Sequence, residues 1–406
     1  MRIWHNIFWA GFVTYALCYS FSGTEKFNVY IYTDILEVIG LTSLMAATFF
    51  LLKPKIENSY LRFTFILFCS WSLFVIVRGF QFNYLFLKNM FLNSRNGLLL
   101  YLVPLTMLFY HNLNHIKKVF NAIAILCIAF IFYDLIFIKE LLFPYNNFLS
   151  QGILESFVQD LSFASGFIVL TYVYHTRKRT LLALFVLILT FLFAVLRARR
   201  GLIFISFSML IFSYIIYQYA NKSKVINIVF SILFMMLIAY IGVTVYLNHR
   251  SDTFSLITER MQDDSRSGVL QYFYMDLQTS DWIIGKGIDG RYYCPGIGEG
   301  NGVVSVYRKV IEAGYLQTIL RGGLISLALY LLIAIPAIIR GIFFSKNILS
   351  KAAGIWILIL LMYSYPGTMA TFTMHYIIVW ISIGICYSRR IGNMSDESIK
   401  KIISGN

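Results

Sequence analysis

The sequence predicts an all-α, polytopic integral membrane protein with about twelve transmembrane helices and one large extracytoplasmic loop. Hydrophobic residues make up 59% of the 406 residues and charged residues only 13%, whereas soluble domains contain about 25% charged residues. The 37 Phe and 28 Tyr residues suit the aromatic belts that form at membrane interfaces. Six prolines leave little room for disordered linkers, so we expect one membrane domain over residues 1–406.

Segments of about 20 mostly apolar residues predict membrane-spanning helices. The first follows Met1 and Arg2 without a small-residue cleavage site, which indicates a retained span rather than a signal peptide. We expect the two short segments at 97–110 and 161–175 to extend into their flanks. The twelve predicted spans are 3–21, 29–52, 61–77, 97–110, 119–138, 161–175, 181–196, 201–219, 225–246, 314–339, 352–366 and 371–387.

Lys and Arg cluster in alternate connections, from Lys53 and Lys55 near the start to Arg389 and Arg390 in the tail. Because such residues are enriched on the cytoplasmic side, this pattern predicts that both termini are cytoplasmic. The largest segment on the opposite side is 247–313, and the glycines that crowd its second half indicate loop structure. We expect this region to form the large extracytoplasmic loop.

Three arginines break the charge pattern. Arg197, Arg199 and Arg200 lie between two predicted spans that are joined almost without a loop, on the side where positive charge is disfavoured. Charge held at membrane depth is costly and typical of a functional site, although these side chains could instead reach lipid phosphates. We interpret them as a binding site for a phosphate-bearing substrate, since the planar guanidinium fork makes two contacts to phosphate oxygens at once.

The net charge of +15 does not predict nucleic-acid binding, because no soluble basic domain is present. Anionic lipid or a phosphate-bearing substrate is the better partner. Further cations on the same predicted face could join the arginine turn, although a solvated surface position is the alternative for each loop arginine. They are Arg78, Lys88 and Arg95 in an earlier loop, Arg250, Arg260, Arg266, Arg291, Arg308 and Lys309 in the large loop, and Arg321 about two turns into the next helix.

Glu312 is the predicted general base. It lies where the large loop enters a helix, and partial desolvation there would raise the pKa of its carboxyl group; the alternative is a helix-start carboxylate stabilised by the helix dipole. Asp264, next to Asp263, is a weaker candidate, and metal ligation by this pair is less favoured than a solvated turn. We interpret Asp34 and Glu37 as interfacial.

Other classes of site lack their motifs. The five cysteines show no disulfide framework and no CxxC spacing. The sequence has no Walker motif, nucleophile elbow or dinucleotide fingerprint. We therefore predict neither a metal nor a cofactor.

Four motifs in this order resemble the O-antigen polymerase and O-antigen ligase superfamily: Asp264-Ser265-Arg266, Gly285-Lys286-Gly287-Ile288-Asp289-Gly290-Arg291-Tyr292, Ile311-Glu312-Ala313-Gly314-Tyr315-Leu316 and Gly322-Gly323. The Arg-Ala-Arg-Arg-Gly turn at 197–201 is similar to the Ser-Arg-Gly turn of that family. The resemblance implies a GT-C-like membrane glycosyltransferase in the bacterial inner membrane, with its active face periplasmic, acting in lipopolysaccharide or other polysaccharide biosynthesis.

The resemblance also implies the reaction. A polymerase transfers a growing glycan from undecaprenyl pyrophosphate to the next lipid-linked repeat unit, with membrane lipid and a chain-length regulator protein as further partners. Ligases of the family commonly have His-Asn where this chain has Glu312 and Ala313, which favours a polymerase over a ligase. The donor pyrophosphate would bind Arg197, Arg199 or Arg200, with Arg266 and Arg321 as the next candidates. Other candidate site residues are Arg291, Asp264 and Tyr315.

A rival of another class is a flippase for lipid-linked oligosaccharides. It too needs many spans and cations for pyrophosphate. It should carry charge through a central cavity, whereas the predicted spans hold few ionisable groups and the unexplained arginines gather on one face.

Overall fold

The computed structural model of the chain describes residues 2–24, 30–52, 55–95, 97–111, 113–143, 147–221, 265–295, 306–368 and 370–404. These ranges are almost entirely helical. The first ten α-helices are α1 Arg2–Ser22, α2 Tyr30–Leu51, α3 Ser59–Arg78, α4 Tyr84–Leu92, α5 Leu113–Ile136, α6 Ile138–Leu142, α7 Asn147–Phe157, α8 Ser165–Leu170, α9 Arg177–Leu196 and α10 Arg200–Ala220.

The remaining elements follow the gap after residue 221. They are α11 Ser265–Asp276, α12 Thr279–Ile284, strands β1 Tyr292–Tyr293 and β2 Tyr307–Arg308, α13 Gly314–Phe343, α14 Ile348–Tyr363, α15 Met374–Tyr387, α16 Arg389–Gly392 and α17 Asp396–Ser404. The two strands pair antiparallel, Tyr292 with Arg308 and Tyr293 with Tyr307.

Seven helices in the described ranges are long and apolar enough to cross a membrane, which makes the chain an all-α membrane-spanning protein by length and composition. Three shorter apolar helical segments, Leu98–Phe109, Ile348–Tyr363 and Met374–Tyr387, also match predicted spans. The predicted span at 225–246 lies outside the described residues. The count of twelve, the orientation of the termini and the side of the active face stay predictions.

Two predicted spans have unexpected local structure. The segment predicted at 161–175 begins earlier and runs over Leu149–Leu170, so that much of the connection predicted at 139–160 is helical. Its middle is a π-helical stretch, Val158–Ser162, a rare form that occurs frequently at functional sites. The segment predicted at 97–110 forms two 3₁₀ helices, Leu98–Tyr101 and Val103–His111, rather than one α-helix.

Helices α14 and α15 are short for membrane helices. With 16 and 14 residues they extend roughly 24 and 21 Å at 1.5 Å per residue, less than the roughly 30 Å hydrocarbon core. Every residue of α15 is buried, so protein surrounds it on all sides. Among the described residues between these helices, Thr371 and Thr373 are buried, whereas Tyr365 is 75% exposed.

One large apolar core holds the bundle together. Trp356 and Trp380 are fully buried in it, and the Trp380 ring contacts Phe65 and Phe68 of α3. A small second core around Phe273 and Tyr292 joins α11 and β1 to the start of α13. This second core fixes the segment 265–295 on one end of the bundle, which we call the site end.

Candidate functional site

The first part of the site is the arginine turn, residues 197–200, which joins α9 to α10. Helix α9 ends at Leu196 and α10 begins at Arg200, so the prediction of two spans joined almost without a loop is confirmed. Ala198 has a φ of 53°, a left-handed conformation that costs a non-glycine residue roughly 1–2 kcal/mol. The turn is closed by hydrogen bonds from Ala198 N to Val195 O (3.1 Å) and from Arg199 N to Ala194 O (3.0 Å).

The three arginines of this turn differ in environment. Arg197 is only 7% exposed; its Nη2 donates to the Leu142 carbonyl at 3.2 Å, and its Nε has no hydrogen-bond partner among the described residues. Burial lowers the pKa of Arg197, but a guanidinium stays protonated in proteins. Arg199 forms an ion pair with Glu155 of α7. Arg200 is exposed.

The 363–368 connection links this turn to the start of α13. A Cβ on Gly201 would lie 3.4 Å from the Pro366 carbonyl oxygen, so α10 begins directly against this connection. On its other side, Gly314 N donates to Gly367 O at 3.1 Å and Tyr315 N to Ser364 O at 3.3 Å. Arg197 and the start of α13 therefore lie at the same end of the bundle.

Helix α13 is broken one residue after the Arg321-Gly322 pair, because Gly323 has a non-helical backbone (φ 68°, ψ −175°). The break frees three carbonyl groups, and each has a donor. Lys286 N donates to Leu320 O (2.7 Å), Gly287 N to Arg321 O (2.8 Å) and Trp71 Nε1 to Gly322 O (2.9 Å). An unpaired buried carbonyl would cost about 1–3 kcal/mol, so the loop after α12 makes the broken helix stable.

Arg321 lies at this break, roughly 10 Å along α13 from Gly314 at the usual helical rise. It is 7% exposed, which confirms that it is a charge held below the surface. Its guanidinium donates to the Tyr101 hydroxyl group, and it interacts electrostatically with Asp289. A buried guanidinium beside a tyrosine and a carboxylate is typical of an anion-binding or catalytic site rather than of packing alone.

A cavity of about 80 Å³ lies beside Arg321. Its lining includes the polar residues Gln317, Thr318, Ser364 and Thr368 as well as Ser72 and Ser326. The volume is small against the roughly 300–1,000 Å³ of a usual ligand pocket. The apolar and aromatic part of the wall comprises Phe68, Val75, Leu100, Tyr101, Pro104, Leu327, Tyr330, Leu361 and Tyr376.

The other predicted site residues are less enclosed. Glu312 is exposed, so the expected partial burial of its carboxylate is not found; its role as the base stays a prediction. Tyr315 lines the cavity and stacks on Tyr365 with ring planes 2° apart. Arg291 is exposed and pairs with Asp289 at 2.8 Å. Arg266 belongs to α11, but its side chain and Asp264 lie outside the described residues.

The prediction that the spans hold few ionisable groups is wrong in part. Glu37, predicted as interfacial, is only 3% exposed, and Asp160 of the π-helical stretch is 4% exposed. Ser156 donates to Asp160 at 3.3 Å, and Arg95 interacts with it electrostatically. Asp34, by contrast, is partly exposed and pairs with Lys88 at 3.3 Å, as an interfacial residue does.

Sequence reasoning missed Asp160 and Tyr101 because each needs a distant partner to be recognised. Asp160 lies at the edge of a predicted loop, and an acidic residue in a loop does not by itself indicate a functional site. The signal that could have found it is the series Gln151, Glu155 and Asp160, whose near-helical spacing continues into an apolar run. Comparison with family models, curated proteins and solved structures finds no match for this chain.

Proposed function

We propose that the chain is a metal-independent membrane glycosyltransferase that polymerises a surface polysaccharide from lipid-pyrophosphate-linked repeat units. The observation that carries this proposal is the pair of buried arginines, Arg197 and Arg321, which come from separate helices and share the site end. The cavity beside Arg321 is lined by both polar and apolar residues, which suits a lipid-linked phosphate. The motif resemblance to O-antigen polymerases adds the reaction type.

The reaction joins two lipid-linked glycans. An acceptor sugar hydroxyl group attacks the anomeric carbon of the donor glycan, and the bond between that carbon and the pyrophosphate oxygen breaks. Undecaprenyl pyrophosphate leaves with the bonding electrons, and the arginines stabilise its developing charge. Glu312 accepts the hydroxyl proton and releases it to water, which its exposed position permits.

Alanine and lysine variants of the two buried arginines test this assignment. We expect each alanine variant to shorten or abolish the polysaccharide ladder in cells at unchanged protein level. Lysine keeps the charge but loses the bidentate fork, so it should restore only part of the chain length. Arg177→Ala is the matched control, since Arg177 is exposed at the opposite end of α9 from the arginine turn. Normal ladders from both Arg197→Ala and Arg321→Ala would contradict the assignment.

A transporter of lipid-linked oligosaccharides is the second candidate, and the buried acids favour it. Glu37 and Asp160 lie within helices, and ionisable groups at membrane depth are typical of transport pathways. Purified protein in liposomes separates the two functions. A polymerase elongates the glycan when donor and acceptor are both present, whereas a flippase moves lipid-linked substrate between leaflets without elongation.

A further inference from the structure

The loop Gly285–Gly290 is bound to the break in α13 and to the end of α3. Besides the two hydrogen bonds to α13, Ile288 N donates to Val75 O at 3.0 Å and Arg78 Nη1 donates to Ile284 O at 3.2 Å. A Cβ on Gly79 would lie 2.9 Å from Asp289 N, so the end of α3 and this loop are in direct backbone contact. The backbone of Asp289 is therefore held beside the break that carries Arg321.

The Asp289 side chain interacts with three cationic side chains from different parts of the chain: Arg291, Lys309 and Arg321. Its Oδ2 accepts a hydrogen bond from Arg291 Nη2 at 2.8 Å, and its Oδ1 accepts one from Lys309 Nζ at 2.6 Å. The side chain is 7% exposed, and it interacts electrostatically with Arg321. Each oxygen of the Asp289 carboxylate therefore has a cationic donor from a different segment of the loop.

Lys309 also connects this cluster to the cavity wall. Gln317, which lines the cavity, donates from Nε2 to Lys309 O at 3.1 Å. The same side chain accepts from Ile311 N through its Oε1 at 2.8 Å. The segment that follows β2 and carries Lys309 is thus fixed to α13 four residues before Arg321.

Three cations, Arg291, Lys309 and Arg321, are grouped with the Asp289 carboxylate at the break in α13. A pyrophosphate diester carries two negative charges, one on each phosphate. Cationic side chains bind phosphate oxygens through charge-assisted hydrogen bonds, and Arg321 of this cluster lines the cavity.

We infer that Asp289 is a positioning residue, which aligns Arg291, Lys309 and Arg321 as one binding cluster for the diphosphate of a prenyl-linked substrate. This inference rests on the proposed function for the identity of the substrate. Asp289 does not contact the reacting atoms. It fixes the direction of the cations, while the cations supply the attraction, and these two contributions are separable by substitution.

Asp289→Asn separates them, because it removes one negative charge and keeps every cation. We expect the variant to bind geranylgeranyl pyrophosphate about fivefold more tightly, as one unit charge a few ångströms away contributes about 1 kcal/mol in water-like surroundings. We expect kcat with lipid-linked repeat units to fall about tenfold to a hundredfold through misalignment, while KM stays equal or falls. Asp276→Asn, which removes a loop acid paired with Lys286, is the matched control and should behave as wild type.

Binding is measured on the purified full-length chain with geranylgeranyl pyrophosphate, geranylgeraniol and inorganic pyrophosphate as probes. Phosphorus NMR of the bound diphosphate gives an orientation readout that needs no turnover, and we expect sharp signals in wild type and broadened signals in Asp289→Asn. Asp289→Glu keeps the charge on a longer stem; we expect wild-type affinity with reduced kcat, which a folding defect would not produce.

Weaker diphosphate binding by Asp289→Asn would overturn the inference, as would unchanged NMR signals together with an unchanged kcat. Binding and NMR changes as expected in a protein that forms no polymer would leave the Asp289 cluster in place and refute the proposed function. Polymer formation by wild type and by Asp289→Asn at equal rates would refute only the role of Asp289.

Discussion

Substitution of Gly285 by alanine tests the docking of the loop on α13. Gly285 has φ 71° and ψ −174°, a region that is essentially restricted to glycine and costs other residues about 1–3 kcal/mol. A Cβ there would also lie 2.5 Å from Gly322 N. The loop must shift, and the shift breaks the hydrogen bonds from Lys286 N and Gly287 N to α13, each contributing about 1 kcal/mol.

These contributions together give a loss of about 3 kcal/mol in the free energy that holds the loop closed, of which the hydrogen bonds supply about 2 kcal/mol. Because 1.4 kcal/mol is a factor of ten, we expect amide hydrogen exchange at residues 286 and 287 to accelerate about a hundredfold. The assay is hydrogen exchange with mass spectrometry on the purified protein in detergent, with peptides covering 280–295.

Gly152→Ala is the matched control for this experiment. Gly152 lies within α7, and a Cβ there would meet nothing within 4 Å, so alanine should stabilise the helix by up to about 1 kcal/mol and leave exchange at 286 and 287 unchanged. Wild-type protection of these amides in Gly285→Ala would refute the docking of the loop on the broken helix.

Three further predictions concern the site end and the opposite end of the bundle. Arg197→Ala should lower the polymerisation rate about tenfold or more, since a charge-assisted contact contributes about 1.5–3 kcal/mol. Arg177→Ala, at an exposed position on the opposite end of α9, should stay close to wild type. Rates with purified protein check this, and equal effects of the two substitutions would contradict it. Glu155→Gln removes the partner of Arg199. The free energy of unfolding, measured by thermal unfolding, should change by less than about 1 kcal/mol because the pair is partly exposed. A larger loss would show that the pair is essential for folding. Burial lowers the pKa of His175 to about 3. Below pH 6.5 the unfolded chain therefore binds a proton that the folded chain does not, and the free energy of unfolding falls as the pH drops towards 3. Between pH 6.5 and 5 this loss should be about 2 kcal/mol, and an unfolding temperature with the same pH dependence in wild type and His175→Gln would contradict it.

The arginine turn could be predicted from sequence because its signal is local. Arg197, Arg199 and Arg200 stand between two apolar runs, and the distance between those runs leaves no room for a loop. The position of Arg321 follows in the same way from its place within an apolar run. What the sequence did not reveal is that Arg197 and Arg321 are buried whereas Arg200 and Arg291 are exposed, because burial depends on which distant segments cover each side chain.

The apolar span Leu149–Leu170 begins earlier than the predicted span 161–175, because hydropathy alone does not detect its first half. Gln151 and Asp160 lower the apolar character of its first half, so the sequence predicts a loop there. In the structure Gln151 donates to the Arg197 carbonyl at 3.1 Å, and Asp160 lies beside Ser156 and Arg95. Polar residues are tolerated in a buried helix when such partners are present, and those partners come from remote parts of the chain.

The sequence shows the glycines that form the break in α13, but it does not show that the helix breaks there. The Gly322-Gly323 pair and the glycine run after Gly285 were visible as separate motifs in the sequence. Their role becomes clear from the contact between the two segments, since Gly285 leaves room for the backbone of Arg321 and Gly322, and Gly323 leaves room for the backbone of Ile283. A single sequence gives no information on that pairing.

Elongation by purified protein tests the central claim most directly. The assay supplies one synthetic undecaprenyl-pyrophosphate-linked repeat unit to the full chain in liposomes and measures products of two or more repeats together with released undecaprenyl pyrophosphate. We predict one released undecaprenyl pyrophosphate for each glycosidic bond formed, and the loss of both products in Arg197→Ala and Arg321→Ala. Absence of elongation by folded wild-type protein, or undiminished elongation by both variants, would contradict the account.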